Sequence, residues 1–241
     1  MSHELWGRYA SCVLVTSFPA VALGTNCYVL ATAAGGECVV VDPGIEVDDQ
    51  LHRTLTELSL TPAAVLITHG HIDHVQSAAR VGKDVPVYIH CGDRYRLKDP
   101  MSDLPEGMVA AFEQQLGRPA RWNEPTTVIE VTHGQRLELA GLTIDVHHAP
   151  GHTEGSALYS LSDVPDDIDG ADVSSTVLTG DVLFAGTIGR TDLSGGDHPT
   201  MLQSLRDVVL ALPDDALVLP GHGPATTMAR ERATNLFLQD L

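Results

Sequence analysis

Short apolar runs separated by glycine, proline and asparagine turns make up most of the chain, and the turns carry its polar chemistry. Residues 12–18, 25–31 and 37–41 are apolar or alternating between such turns, which predicts three strands in an antiparallel meander. Val47, Leu51, Leu55 and Leu58 recur at helical spacing ahead of Pro62 and predict a helix over 47–60. The continuous apolar run 63–67 predicts a strand, with a helix over 75–81 and a further strand at 86–90.

From 91 to 124 the pattern loosens. Weak helical periodicity at 105–117, between a proline and a glycine, predicts an excursion over the sheet that borders the functional site. In the second half, strands are predicted at 142–148, 175–178 and 216–219. Asp197-His198-Pro199 reads as a helix start, with Met201, Leu205, Val208 and Leu212 on the buried face until Pro213, and a last helix covers 226–237. The acidic stretch 163–174 is expected to be a mobile hairpin loop without chemistry. No linker divides the chain, so residues 1–241 are expected to form a single domain.

Charge narrows the field of partners. Thirty-two acidic against 14 basic residues give a formal net charge of −18, which repels nucleic acid and anionic membrane surfaces. The N-terminus lacks the basic and apolar regions of a signal peptide and no twenty-residue apolar span exists, so a cytoplasmic protein is expected. Cys12, Cys27, Cys38 and Cys91 lie on or beside predicted strands with no C-x-x-C pair, and are expected as buried free thiols.

The chemistry concentrates in Thr68-His69-Gly70-His71-Ile72-Asp73-His74, directly after the run 63–67. In an extended segment positions i and i+2 point the same way, so His69 and His71 can converge on one ion. Gly70 lets the chain turn, so Asp73 and His74 can face a second point. A lone histidine is more often a surface or core residue than a ligand, and an H-x-H pair alone is a weak signal. Four candidate ligands behind one strand are harder to dismiss. Three later strands also end in glycine turns, which deliver His152, Asp181 and His222. Seven metal-binding side chains at four strand ends are most simply one site. Imidazole and carboxylate donors without thiolate suit zinc, with iron or manganese as alternatives. Asp42, before Pro43-Gly44, reads as a turn cap rather than a ligand. His3, His52, His90, His133, His147, His148 and His198 stay outside the set, His148 lying near enough in sequence to support His152.

The H-x-H-x-D-H motif at 69–74, taken with His152, Asp181 and His222 in their turns, resembles the metallo-β-lactamase superfamily over nearly the whole chain. The resemblance implies an α/β fold, a four-layer αβ/βα sandwich of two mixed sheets with helices outside. It implies two divalent metal ions: His69, His71 and His152 for one, Asp73, His74 and His222 for the other, and Asp181 as bridge. Asp73 and Asp181 are then the catalytic carboxylates, and a bridging hydroxide attacks the substrate.

Residues 180–192, Gly-Asp-Val-Leu-Phe-Ala-Gly-Thr-Ile-Gly-Arg-Thr-Asp, and Pro220-Gly221-His222-Gly223-Pro224 resemble the glyoxalase II group. That implies hydrolysis of a 2-hydroxyacyl thioester such as S-lactoylglutathione, a small-molecule substrate. Only 19 residues follow His222, so no C-terminal helical substrate domain of the kind found in the longer enzymes of that group is expected. Arg190 is either a substrate-binding residue or the partner of Asp192, in which case its loss would mainly harm folding or metal retention. A mononuclear-iron persulfide dioxygenase and a lactonase share the fold and are the alternatives. A true β-lactamase fits less well, because a bridging aspartate is not that group's pattern.

Overall fold

The computed structural model describes residues 12–241 except 103, 105, 120 and 167–172. One sheet contains β1 (Cys12–Pro19), β2 (Asn26–Ala31), β3 (Glu37–Val41), β4 (Thr61–Ile67), β5 (Val87–His90) and β6 (Val128–Val131), side by side in that order. β1 to β3 form the expected antiparallel meander, and β3 to β6 run parallel. The second sheet starts with β7 (Arg136–Leu139), β8 (Leu142–His148) and β9 (Ala157–Leu161). β10 (Val164–Pro165) then crosses back to pair with β1. β11 (Ser175–Gly180) lies against β9, β12 (Leu183–Phe184) and β13 (Thr187–Ile188) form a small hairpin, and β14 (Ala216–Pro220) and β15 (Thr226–Thr227) close the sheet.

Strand periodicity explains how the sheets face each other. Tyr28 and Leu30, Val39 and Val41, and Leu66 point inward from the first sheet. They meet Ile144, Val146, Tyr159, Leu178 and Leu219 of the second. The alternate residues Val29 and Val40 point outward under Leu51 of α1 (Asp48–Glu57). Val65 and Ile67 are likewise covered by Val75 of α2 (Ile72–Val75), Ala78 of α3 (Ala78–Val81) and Leu97 at the end of a 3₁₀ turn, Cys91–Leu97. Leu104 and Leu116, flanking and ending α4 (Glu106–Leu116), pack on Ile45 and Ile72. On the far side, Val177 and Val218 pack under Met201 of α5 (His198–Ser204), Met228 of α6 (Met228–Thr234) and Leu238 of α7 (Leu236–Gln239). The result is the four-layer αβ/βα sandwich.

Several expectations shift at their edges. The helix expected over 47–60 ends at Glu57, because Ser59 takes a φ of 54° and Pro62 already belongs to β4. The helix expected over 75–81 is two short pieces, α2 and α3, and the one over 226–237 is split at Asn235, whose side chain caps Phe237 N. The stretch 163–174 includes the strand pairing of β10 at its start, and its centre lies outside the described residues. The cysteine expectation is half right. Cys27 and Cys38 are buried in strands, whereas Cys12 begins β1 and Cys91 begins the 3₁₀ turn, and both are exposed.

Candidate metal centre

Four strand ends meet at one edge of the sandwich. β4 delivers residues 69–74, β8 is followed by His152, β11 by Asp181 and β14 by His222. His69 Nε2, His71 Nδ1 and His152 Nε2 form a triangle with sides of 3.1, 2.9 and 3.1 Å. Asp73, His74 and His222 make a second group, with His222 Nε2 3.2 Å from Asp73 Oδ2 and His74 Nε2 3.6 Å from the same oxygen. Asp181 stands between the two. Its Oδ1 is 3.3 Å from His74 Nε2, and its Oδ2 is 3.6 Å from the Nε2 atoms of both His152 and His222.

Glycines make this approach fit. Gly180 has a φ of +49°, and a Cβ there would run into the Thr68 side chain. At Gly221 a Cβ would collide with the Asp181 carboxylate and the His74 ring. Gly221 N also donates to Gly180 O at 2.8 Å, and Asn26 N to Gly221 O at 2.7 Å, which stitches the turns of both sheets together.

Three of the histidines are aimed by the nitrogen they turn away from the centre. His152 Nδ1 meets Arg190 O at 2.7 Å, His74 Nδ1 meets Asp42 Oδ2 at 2.9 Å, and His69 Nδ1 meets Thr68 Oγ1 at 3.2 Å. Such contacts fix the tautomer and leave the other nitrogen free to ligate. Asp42 has a φ of 48° and accepts from Thr68 N and Thr68 Oγ1 as well, so it holds the start of the motif in addition to capping a turn. Thr25 Oγ1 donates to Asp73 Oδ2 at 2.9 Å.

Electrostatics prepares the same donor set. Burial and the neighbouring histidines push His69 well below its ordinary value, and burial next to His152 brings His71 down to about 3. Both rings are therefore neutral, with lone pairs available. Burial alone would raise Asp73 and Asp181, but His74 and the other rings hold both below the usual carboxylate range. Burial would likewise lower His74, yet Asp181, Asp73 and Asp42 together hold it well above its ordinary value.

These residues fit a pair of divalent ions. His74 Nε2 and Asp181 Oδ1 are buried 3.3 Å apart and take part in no hydrogen bond, so only the charge between them offsets their burial, and a divalent cation replacing the His74 proton would satisfy both. Five imidazoles and two carboxylates with no thiolate match zinc or iron better than calcium or magnesium.

Comparison with known proteins now decides the family. The metallo-β-lactamase superfamily model matches residues 20–164. The chain belongs to the metallo-β-lactamase superfamily. An uncharacterized protein of Mycobacterium tuberculosis is 43% identical over 232 residues, 95% of this chain and 99% of its own. The hydroxyacylglutathione hydrolase GloC of Haemophilus influenzae is 34% identical over 206 residues, 83% of this chain and 86% of its own. Among solved structures, the B3 metallo-β-lactamase BLEG-1 superposes with a TM-score of 0.76 at 34% identity, covering 93% of this chain and 99% of that one. TTHA1623 in a di-iron-bound form gives 0.70 at 34% identity, covering 92% and 100%. Metallo-hydrolase chemistry at a divalent metal centre is the common ground of this superfamily.

Of the two readings for Arg190, the pairing with Asp192 is the one seen. Arg190 pairs with Asp192 at 2.7 and 2.8 Å on the surface, and its backbone oxygen, not its guanidinium, serves the centre. His148 stacks on His90 with ring centroids 3.9 Å apart and binds Glu154 O, so it supports the 152–155 turn without touching His152. Sequence reasoning missed Asp93. Buried at the centre's rim, it accepts from Gly70 N at 2.7 Å, Thr153 Oγ1 at 2.8 Å and Gly155 N at 2.7 Å, tying two ligand-bearing turns together. Arg96 lies 3.5 Å from Asp93 and reaches Glu154 and the Ser194 carbonyl. The segment 91–124, expected to border the site, does so through Leu104 and α4.

Among the described residues no helix is long and apolar enough to cross a membrane.

Proposed function

We propose that the protein is a dinuclear-metal hydrolase that cleaves a hydroxyacyl thioester of the S-lactoylglutathione type. His69, His71 and His152 would hold one ion, Asp73, His74 and His222 the other, and Asp181 would contact both. The observation that carries the reading is the placement of Asp181 between the two groups, with Oδ2 3.6 Å from both His152 and His222, and Oδ1 3.3 Å from His74 and buried without a hydrogen bond. The identity shared with GloC supports the thioester as substrate. The donor set favours zinc, and the di-iron form of TTHA1623 keeps iron as the second candidate.

Two divalent ions bound there supply a water acidic enough to attack at neutral pH and a Lewis acid for the carbonyl. The chain's own part is to hold geometry and protons. Asp73, anchored by Thr25 and His222 and kept ionised by the rings around it, would hold its ion and orient the attacking water. The water oxygen joins the carbonyl carbon, the carbon–sulfur bond breaks, and a carboxylate, a thiol and a proton leave for each water consumed. A thiol of ordinary pKa of about 8.5 departs with little help, which suits a site with no acidic side chain set aside to protonate it.

The deciding experiment is free-thiol release from S-lactoylglutathione by protein whose metal content has been measured, with chelated protein as control. Release that disappears on chelation and returns with zinc or iron supports the reading. No release from protein holding two metals per chain overturns it. Opening of a chromogenic cephalosporin instead would move the assignment toward the activity named for BLEG-1, and oxygen uptake with a persulfide at one iron per chain toward a dioxygenase.

A further inference from the structure

A cavity of about 210 Å³ opens beside the histidine cluster, walled by Leu23, Ile72, Leu104, Met108, Ala111 and Leu193. His71 and Asp73 border it, and Gln115 adds an uncharged polar group. Among the described residues no lysine or arginine lines it. Leu23 is 51% exposed and Met108 37%, so large apolar side chains are turned outward at the cavity instead of into either core. Apolar walls with a few polar groups at one end, next to reactive side chains, make a binding pocket for the part of a substrate flanking the reacting atom.

Size and charge choose which part. At roughly 30 Å³ per water-sized group the cavity takes about seven heavy atoms. A peptide thiol carrier is several times larger, and its charged groups would find no lysine or arginine among the described residues of the lining. Beyond its reacting carbonyl a lactoyl group has only about three heavy atoms and would fill less than half of that space. We infer that this pocket receives the acyl side of the thioester, as an uncharged chain or ring of about five to eight carbons. The inference rests on the thioesterase reading and narrows its substrate class, with the carrier thiol directed away from α4.

The test uses the full-length, zinc-loaded protein and one carrier, N-acetylcysteamine, bearing acetyl, butanoyl, hexanoyl, phenylacetyl or lactoyl groups. Thiol release is followed for the wild type, Ala111→Phe and Met108→Glu, two substitutions on the exposed face of α4 that leave the core intact. Calorimetry with acetate, butanoate and hexanoate runs in parallel. Each added methylene is expected to raise kcat/KM about fourfold up to six carbons, and either substitution is expected to flatten the series. A flat series, or lactoyl as the best substrate, with turnover intact overturns the acyl pocket and leaves the thioesterase reading standing. If no thioester is cleaved, chain-length-dependent carboxylate binding that is lost in both variants upholds the pocket while the thioesterase reading falls. Absence of chain-length dependence in both assays overturns the pocket.

Discussion

His74 Nε2 stands 3.3 Å from Asp181 Oδ1, both atoms buried and neither in a hydrogen bond. The charge between them offsets only part of the cost of about 1–3 kcal/mol that each buried polar atom without a hydrogen bond carries. A cation between them removes that cost, so metal loading should raise Tm substantially. Asp181→Asn loses one anionic donor while keeping the shape of the side chain. It is expected to hold fewer than two metals per chain by elemental analysis, to gain less Tm on loading, and to lose thiol release. Two metals and full turnover in this variant would remove Asp181 from its bridging position.

Protonation of His74 gives a second prediction. Its value is raised in the metal-free protein by Asp181, Asp73 and Asp42 against the effect of burial, so at pH 7 it carries a proton that a metal must displace. Loading in weak buffer at pH 7 should therefore release about one proton from this ring, visible with an indicator dye. The same shift sets the pH dependence of stability. Because the folded value lies above the unfolded one, the contribution of His74 to the metal-free fold is complete below pH about 6.5 and is lost as pH rises through the folded value. The Tm gap between loaded and metal-free protein should widen from pH 6.5 upward. A gap that narrows with rising pH would contradict the protonated ring.

The strand ends were legible because apolar runs and glycine turns are local signals. Residues 63–67 with the motif behind them, and the turns at 152, 181 and 222, needed only periodicity and residue type. The strand β6 left no clear pattern, since Ile129 and Glu130 alternate poorly and the partner strand, not the sequence, decides its pairing, whereas β7 alternates and β9 is apolar but each is only four or five residues long. Asp93 was illegible for a different reason. Its partners Gly70, Thr153 and Gly155 are 23 to 62 residues away, and nothing local marks an aspartate that accepts from distant backbone amides. Asp42 showed its turn but not its hold on His74, which requires β3 and β4 to be neighbours.

The Arg190 guanidinium has little to do with the centre. Its pair with Asp192 is on the surface, where such pairs contribute little. The carbonyl that accepts from His152 is retained in any substitution. Arg190→Gln is therefore expected to leave Tm and metal content close to wild type, contrary to the folding or metal defect that the sequence alone suggests. A drop in metal content would show that the side chain is needed to hold residue 190's carbonyl against His152, and a raised KM with normal metal would return Arg190 to the substrate.

Asp93 should be the most sensitive residue that touches no metal-facing atom. Oδ2 takes Gly70 N and Thr153 Oγ1 while Oδ1 takes Gly155 N, so both carboxylate oxygens are committed to donors. In Asp93→Asn one oxygen becomes an amide that can only donate, and whichever way it turns, Gly70 N or Gly155 N loses its acceptor. A buried amide left unpaired costs about 1–3 kcal/mol, and weakening the partner of buried Arg96 adds to it. For a chain of this length that corresponds to a Tm lower by about 4–10 °C. Measuring in chelator separates this loss from any loss of metal, because the turns at 70 and 155 are tied in the metal-free state as well. On reloading, His71 and His152 should bind more weakly, since the carboxylate that joins their turns is compromised. A Tm within about 2 °C of wild type in chelator, together with unchanged metal affinity, would mean that the two turns are positioned by their strands alone.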